Sequence, residues 1–146
     1  MEPLYEWSLV VPAEAVDAND HVNNVVYLEW VQEAAKRHAE ASGCTRATHA
    51  VGATWVVREH RLQYLRPAYA GDRVAVRTWV ATMGRARSLR RTEVLRLDDG
   101  EALARAWTEW VFVDARGGHP RLIPPAVAGA FTLVPEPDPP PVRHPG

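Results

Sequence analysis

VDANDHVNNVVYLEWVQEAAKRHAEAS, residues 16–42, joins a polar turn to a long helical pattern. From Asn24 to Ser42 the apolar residues recur every three or four positions, as on one face of a helix. This stripe comprises Leu28, Val31, Ala35 and Ala39, widened by Val26, Trp30 and Ala34. Gly43 follows as a stop signal, since glycine readily takes the left-handed conformation that ends helices. The pattern predicts one long amphipathic helix over residues 24–42.

The entrance of this helix is unusually rich in polar side chains. The residues concerned are Asp17, Asn19, Asp20, His21, Asn23 and Asn24. Asn23 or Asn24 can serve as the N-cap, and a cap needs only one such residue. The remaining residues form either an ordinary polar turn or a functional site.

Around the helix the sequence has the period of two that is typical of strands. Residues 4–12 form a first predicted strand, and DDG at 98–100 is a hairpin-turn signal. Four further strands are predicted over residues 54–65, 73–83, 87–97 and 101–113, with a short closing helix within 124–131. The fold class is therefore α+β, with a long helix lying on a curved antiparallel sheet of about five strands.

Composition bounds the domain organisation and excludes several function classes. The 146 residues fit one domain at 1–134, followed by a tail at 135–146 that is rich in proline and predicted to be disordered. A net charge of −1 argues against nucleic acid, and no apolar run is long enough for membrane insertion. The start MEPLYEWSLV lacks the features of a signal peptide, and Cys44 is the sole cysteine. We expect a cytoplasmic protein in which Cys44 is structural.

Several common catalytic and metal-binding motifs do not occur in the sequence. None of the three serines lies in GxSxG, and there is no CxxC, HExxH or glycine-rich phosphate loop. We therefore expect no metal and no cofactor. Any catalysis must use carboxylates, amides, a histidine or backbone dipoles, which directs attention to the helix entrance.

Two motifs resemble a known family. Residues 17–27, in the pattern DxxxHVNNxxY, resemble the signature of the 4-hydroxybenzoyl-CoA thioesterase group of hotdog-fold proteins. Residues 64–72, YLRPAYAGD, followed by VRTWV at 76–80, resemble the family's connection between its second and third strands. The likeness covers roughly residues 4–133. It implies a hotdog fold and an enzyme that hydrolyses acyl-CoA, with CoA as part of the substrate.

The resemblance also implies roles for individual residues. Asp17 matches the family's nucleophile or general base, and His21 or Asn23 would orient it or place the water. The N–H groups near Asn24 and Val25 would polarise the thioester carbonyl, because the first N–H groups of a helix are unpaired. Tyr27 would form part of the core or of the pocket wall. Asp20 departs from the family's usual glycine, and aspartate tolerates the left-handed conformation that glycine may adopt there.

The arginines near the fourth strand have two interpretations. Arg85, Arg87 and Arg90, with Arg91 beside them, either form a solvated edge or hold the phosphates of CoA. The family assembles as dimers or tetramers, so a homodimer or homotetramer is expected. Two alternatives to hydrolysis remain open: a hotdog hydratase or dehydratase that uses a histidine–carboxylate pair, and an acyl-CoA-binding domain without catalysis.

Overall fold

The computed structural model describes residues 2–136 of one chain. These residues form one antiparallel sheet and three α-helices. The strands are β1 (Tyr5–Val10), β2 (Ala53–Tyr64), β3 (Arg73–Val80), β4 (Arg87–Arg96) and β5 (Ala102–Asp114). Their order across the sheet is β1-β3-β4-β5-β2, so β1 and β2 are the edges. The predicted α+β class with five strands is confirmed.

The long helix α1 (Asn24–Ser42) has the bounds that the sequence predicts. Gly43 ends it with a φ of 87°, the left-handed conformation for which glycine is suited. The buried face is rotated slightly from the predicted stripe, because Tyr27 and His38 are buried while Leu28 and Ala39 are half-buried. A polar side chain, His38, thus lies in the interface between helix and sheet.

A second helix, α2 (Cys44–Ala50), follows directly and was not predicted. Gly43 indicates the end of a helix but contains no information on whether the chain resumes helical structure beyond it. Cys44 and Thr48 are buried on the inner side of α2. The closing helix α3 is shorter than the predicted range, at Pro125–Ala128.

The core consists of two clusters on the helix side of the sheet. One lies under the first half of α1 and includes Trp30, Val74 and Val94. The other surrounds Phe112, which is fully buried together with Val127 of α3. The two clusters hold α1 and α2 against opposite ends of the same sheet face.

The tail predicted at 135–146 lies mostly outside the described residues, and Glu136 forms an ion pair with Arg91. Among the helices within residues 2–136, none has the length and apolar character required to cross a membrane.

Candidate active site

The turn before α1 is held by its own backbone. The N–H of Asp17 donates to the carbonyl of His21 at 2.8 Å, and the N–H of Asp20 donates to the carbonyl of Asp17 at 3.0 Å. Asp20 has a φ of 63°, and it is the one non-glycine residue with positive φ in the described chain. Aspartate therefore occupies the left-handed position that suits glycine.

The carboxylate of Asp17 is exposed at the beginning of this turn. Its Oδ1 accepts a hydrogen bond from the N–H of Asn19 at 2.8 Å, which fixes the side chain. Its Oδ2 accepts no hydrogen bond from any residue between 2 and 136. One oxygen thus orients the group, and the other is available to a water molecule or a substrate.

The first turn of α1 differs in one respect from the sequence prediction. The side chain of Asn23 caps the helix by accepting from the N–H of Val25 at 3.0 Å. The cap therefore engages the N–H that the sequence analysis assigned to polarising a carbonyl, and that role stays a prediction. The N–H of Asn24 donates to no acceptor within the described residues and remains available.

A cavity of about 240 Å³ lies at the helix entrance. Its walls consist of His21, Val22, Asn24, Tyr27, Tyr64, Leu65, Arg66 and Pro67. Tyr27 is buried, and burial raises the pKa of its hydroxyl. That hydroxyl accepts from the N–H of Ala68 at 3.2 Å, so its role in this chain includes supporting the wall.

The ring of His21 packs edge-on against Tyr69, with 5.4 Å between the ring centroids. His21 shares a backbone hydrogen bond with Asp17, and no contact joins the two side chains in the described part of the chain. The described residues therefore show no hydrogen-bonded histidine–carboxylate pair in this turn. Asp17 is not among the residues that line the cavity, although its backbone is hydrogen-bonded to that of His21.

The three arginines assigned to phosphate binding do not share one surface. Arg85 and Arg87 are exposed, and Arg87 lies 3.4 Å from the carboxylate of Glu109. Arg90 is buried on the opposite face of β4, because side chains three positions apart in a strand point to opposite sides. Of these three arginines, only Arg85 and Arg87 can share one phosphate site.

A larger cavity of about 370 Å³ lies at the far end of α1 and was not predicted. Arg90 lines it, and its guanidinium donates to Nδ1 of His38 at 2.9 Å. Burial, with a smaller contribution from Arg90, lowers the pKa of His38 to about 4, so this histidine is neutral at pH 7. The periodicity of α1 could have indicated His38, which lies on the buried stripe with Val31 and Ala34.

A family model described as the thioesterase-like superfamily matches residues 10–131. The chain belongs to this superfamily. The matched region includes the entrance turn, the whole of α1 and all of the sheet beyond β1. The resemblance inferred from the two sequence motifs is thereby confirmed.

One curated relative of this thioesterase-like protein is an L-carnitine dehydrogenase/betainyl-CoA thioesterase from Ruegeria pomeroyi. The two are 31% identical over 77 residues, which is 53% of this chain. The match spans only 16% of the relative's length.

Solved structures resemble the chain over most of its length. A 1,4-dihydroxy-2-naphthoyl-CoA thioesterase from Synechocystis gives a TM-score of 0.78 at 18% identity, covering 88% of this chain and 95% of that one. A hypothetical protein from Staphylococcus aureus in complex with CoA gives 0.81 at 15% identity, covering 92% and 90%. These matches confirm the predicted hotdog fold.

Proposed function

We propose that this protein hydrolyses acyl-CoA thioesters to the free acid and CoA. The observation that carries the proposal is the exposed Asp17, which is oriented through one oxygen and has its other oxygen unengaged among the described residues. Its turn leads into a helix whose Asn24 N–H is also available. Membership of the thioesterase-like superfamily and the thioesterase activity of the named relatives support hydrolysis.

In this mechanism Asp17 attacks the thioester carbonyl or removes a proton from the attacking water. Negative charge then develops on the carbonyl oxygen. The N–H of Asn24 stabilises that charge, and the partial positive charge of the N-terminus of α1 adds to the effect. The return of this charge breaks the C–S bond and releases CoA, whose sulfur takes up a proton. If Asp17 is the nucleophile, water then cleaves the resulting anhydride and regenerates the carboxylate. Asn23 contributes by capping the helix, which holds the first turn in place.

The site is completed by a second copy of the chain in this proposal. Strand β2 is a sheet edge with twelve residues, and β5 is its sole strand partner in the described chain. A free edge of this length tends to pair with another strand. Pairing of two β2 strands around a two-fold axis would cover the β2 edge of each copy and give a homodimer. The entrance cavity borders Tyr64, the last residue of that edge strand.

The test is release of free CoA from a panel of acyl-CoA thioesters, measured with a thiol reagent. We expect Asp17→Asn to lower kcat by ~10²-fold or more, as loss of a general base does. Asp20→Asn is the matched control three residues away, and its kcat should stay within about tenfold of wild type, because removal of a catalytic group costs more than that. Both variants are checked for folding by thermal melts.

Three other outcomes would contradict the proposed mechanism or the proposed activity. Normal turnover by Asp17→Asn together with an inactive Asp20→Asn would show that the wrong carboxylate has been chosen. Hydration of an enoyl-CoA without thiol release would identify a hydratase. Binding of acyl-CoA without any reaction would identify a binding domain.

A further inference from the structure

The larger cavity lies between the helices and one end of the sheet, and it has a distinctive charge distribution. Its walls are Gln32, Ala35, Lys36, Ala39, Cys44 and Thr45, with Thr48, His49, Thr54, Trp55, Val80, Met83, Ser88, Arg90, Trp110 and Phe131. Two of these described residues, Lys36 and Arg90, are cations, and none is an aspartate or glutamate. A cavity with this composition is suited to an anionic group.

Arg90 is the deepest cation, with only 5% of its surface exposed. It donates to Nδ1 of His38 at 2.9 Å and to Oγ1 of Thr78 at 3.0 Å, and it lies over the ring of Phe131. All three partners are uncharged at neutral pH. No carboxylate within residues 2–136 forms an ion pair with Arg90. Burying an unpaired charge is costly, so an anionic partner would be favoured strongly here.

Trp110 adds a second hydrogen-bond donor to the same cavity wall. Its indole Nε1 is buried and has no acceptor among the described residues. Buried donors normally have a partner, and the exceptions call for an explanation. An anion bound beside Arg90 would supply an acceptor for such a donor.

Arg90 is distant from the entrance turn of its own chain. It contacts His38, fourteen residues along α1 from Asn24, which corresponds to ~21 Å at 1.5 Å per residue. An acyl group of moderate length held at the entrance of one chain therefore cannot reach Arg90 of the same chain.

The proposed dimer removes this separation. When two β2 strands pair antiparallel about their common centre, Tyr64 of one copy lies opposite Ala53 of the other. The hydroxyl of Tyr64 donates to the carbonyl of Asn24 at 3.2 Å, so Tyr64 marks the entrance of α1. Ala53 is followed directly by Thr54 and Trp55, which line the larger cavity. The entrance of one copy is then adjacent to the cavity of the other.

We propose that this cavity receives the distal end of the acyl group and that Arg90 selects acyl groups ending in a carboxylate. The proposal rests on the proposed function and names the substrate class of that site. A carboxylate would accept charge-assisted hydrogen bonds from the guanidinium.

The experiment compares hydrolysis of succinyl-, glutaryl- and adipyl-CoA with that of butyryl-, pentanoyl- and hexanoyl-CoA, which match them in chain length. We expect wild type to prefer at least one carboxylated substrate over its neutral counterpart by ~10-fold or more in kcat/KM, the scale of one charge-assisted hydrogen bond.

Arg90→Met should abolish this preference, because it removes the guanidinium donors while keeping a side chain of similar length. Arg105→Met is the matched control, because Arg105 is exposed on β5, and it should keep the wild-type preference. Trp110→Phe removes the Nε1 donor and should lower the preference in part. If Arg90→Met does not fold, Arg90→Lys should retain a reduced preference.

The outcomes separate this inference from the proposed function. Equal hydrolysis of carboxylated and neutral substrates by wild type would overturn the role of Arg90 and leave the thioesterase assignment intact. An unchanged preference in Arg90→Met would do the same. No CoA release from any substrate would refute the proposed function, and this inference with it.

Discussion

His38 is a buried base whose uncharged form is required by its surroundings. It is 2% exposed, it stacks on Tyr5 with 5.5 Å between the ring centroids, and it accepts from the guanidinium of Arg90 through Nδ1. Protonation would remove that acceptor and place a second positive charge beside Arg90. Burial accordingly lowers the pKa of His38 from 6.5 to about 4.

The effect on stability follows from the difference in protonation between the two states. Between pH 6.5 and pH 4 the unfolded chain binds a proton at His38 that the folded chain does not, so the free energy of unfolding falls as pH falls. For these two pKa values, His38 alone lowers that free energy by about 1 kcal/mol at pH 6 and about 2 kcal/mol at pH 5, relative to pH 8. The full effect, reached below pH 4, is about 3 kcal/mol.

Urea unfolding of wild type and His38→Asn between pH 5 and 8, at one protein concentration, measures this contribution. Asparagine keeps an acceptor near the position of Nδ1 but does not titrate. Subtracting the two curves removes the other titrating groups, including His60, whose pKa burial also lowers. We expect the difference to change by about 2 kcal/mol between pH 8 and pH 5, with wild type losing more. A difference that is independent of pH would refute the assignment of His38 as a neutral buried base.

Three further predictions concern the entrance turn, the arginines and the assembly. Asp20→Gly should raise the free energy of unfolding by up to ~1 kcal/mol in chemical denaturation, because glycine adopts a φ of 63° without strain; a loss of stability would contradict this. Replacing Arg85 and Arg87 with alanine should mainly raise KM and reduce the preference for full CoA over a pantetheine thioester, and an unchanged preference would place the phosphates elsewhere. Light scattering at micromolar concentration should give at least twice the mass of one chain, and a fully active monomer would exclude a site built from two copies.

The sequence alone determined the features that depend on residues close together in the chain. The bounds of α1 follow from the spacing of its apolar residues and from Gly43, and each strand follows from its alternation. The entrance turn was recognisable because five polar residues precede a helix that needs one cap, and a sixth, Asn24, begins it. The family resemblance indicated a usual glycine at position 20, and Asp20 has the left-handed conformation there because aspartate tolerates it.

Tertiary structure decided which of these groups are free and which are engaged. The N–H of Val25 is unavailable because the side chain of Asn23 turns back to cap it, a choice between two adjacent asparagines that sequence does not reveal. Alternation places Arg90 on one face of β4, but it does not show which face is covered. That depends on the packing of α1.

His38 and Arg90 are 52 residues apart, and they meet only because α1 crosses the inner face of β4. The larger cavity likewise depends on α2, which brings Cys44 and Thr48 over the sheet. The local sequence pattern cannot predict such contacts, because each of these residues could equally well be exposed to solvent. Burial makes His38 a neutral base, and it leaves Arg90 as a cation without an acidic partner in the described chain. Only the folded chain determines which residues are buried.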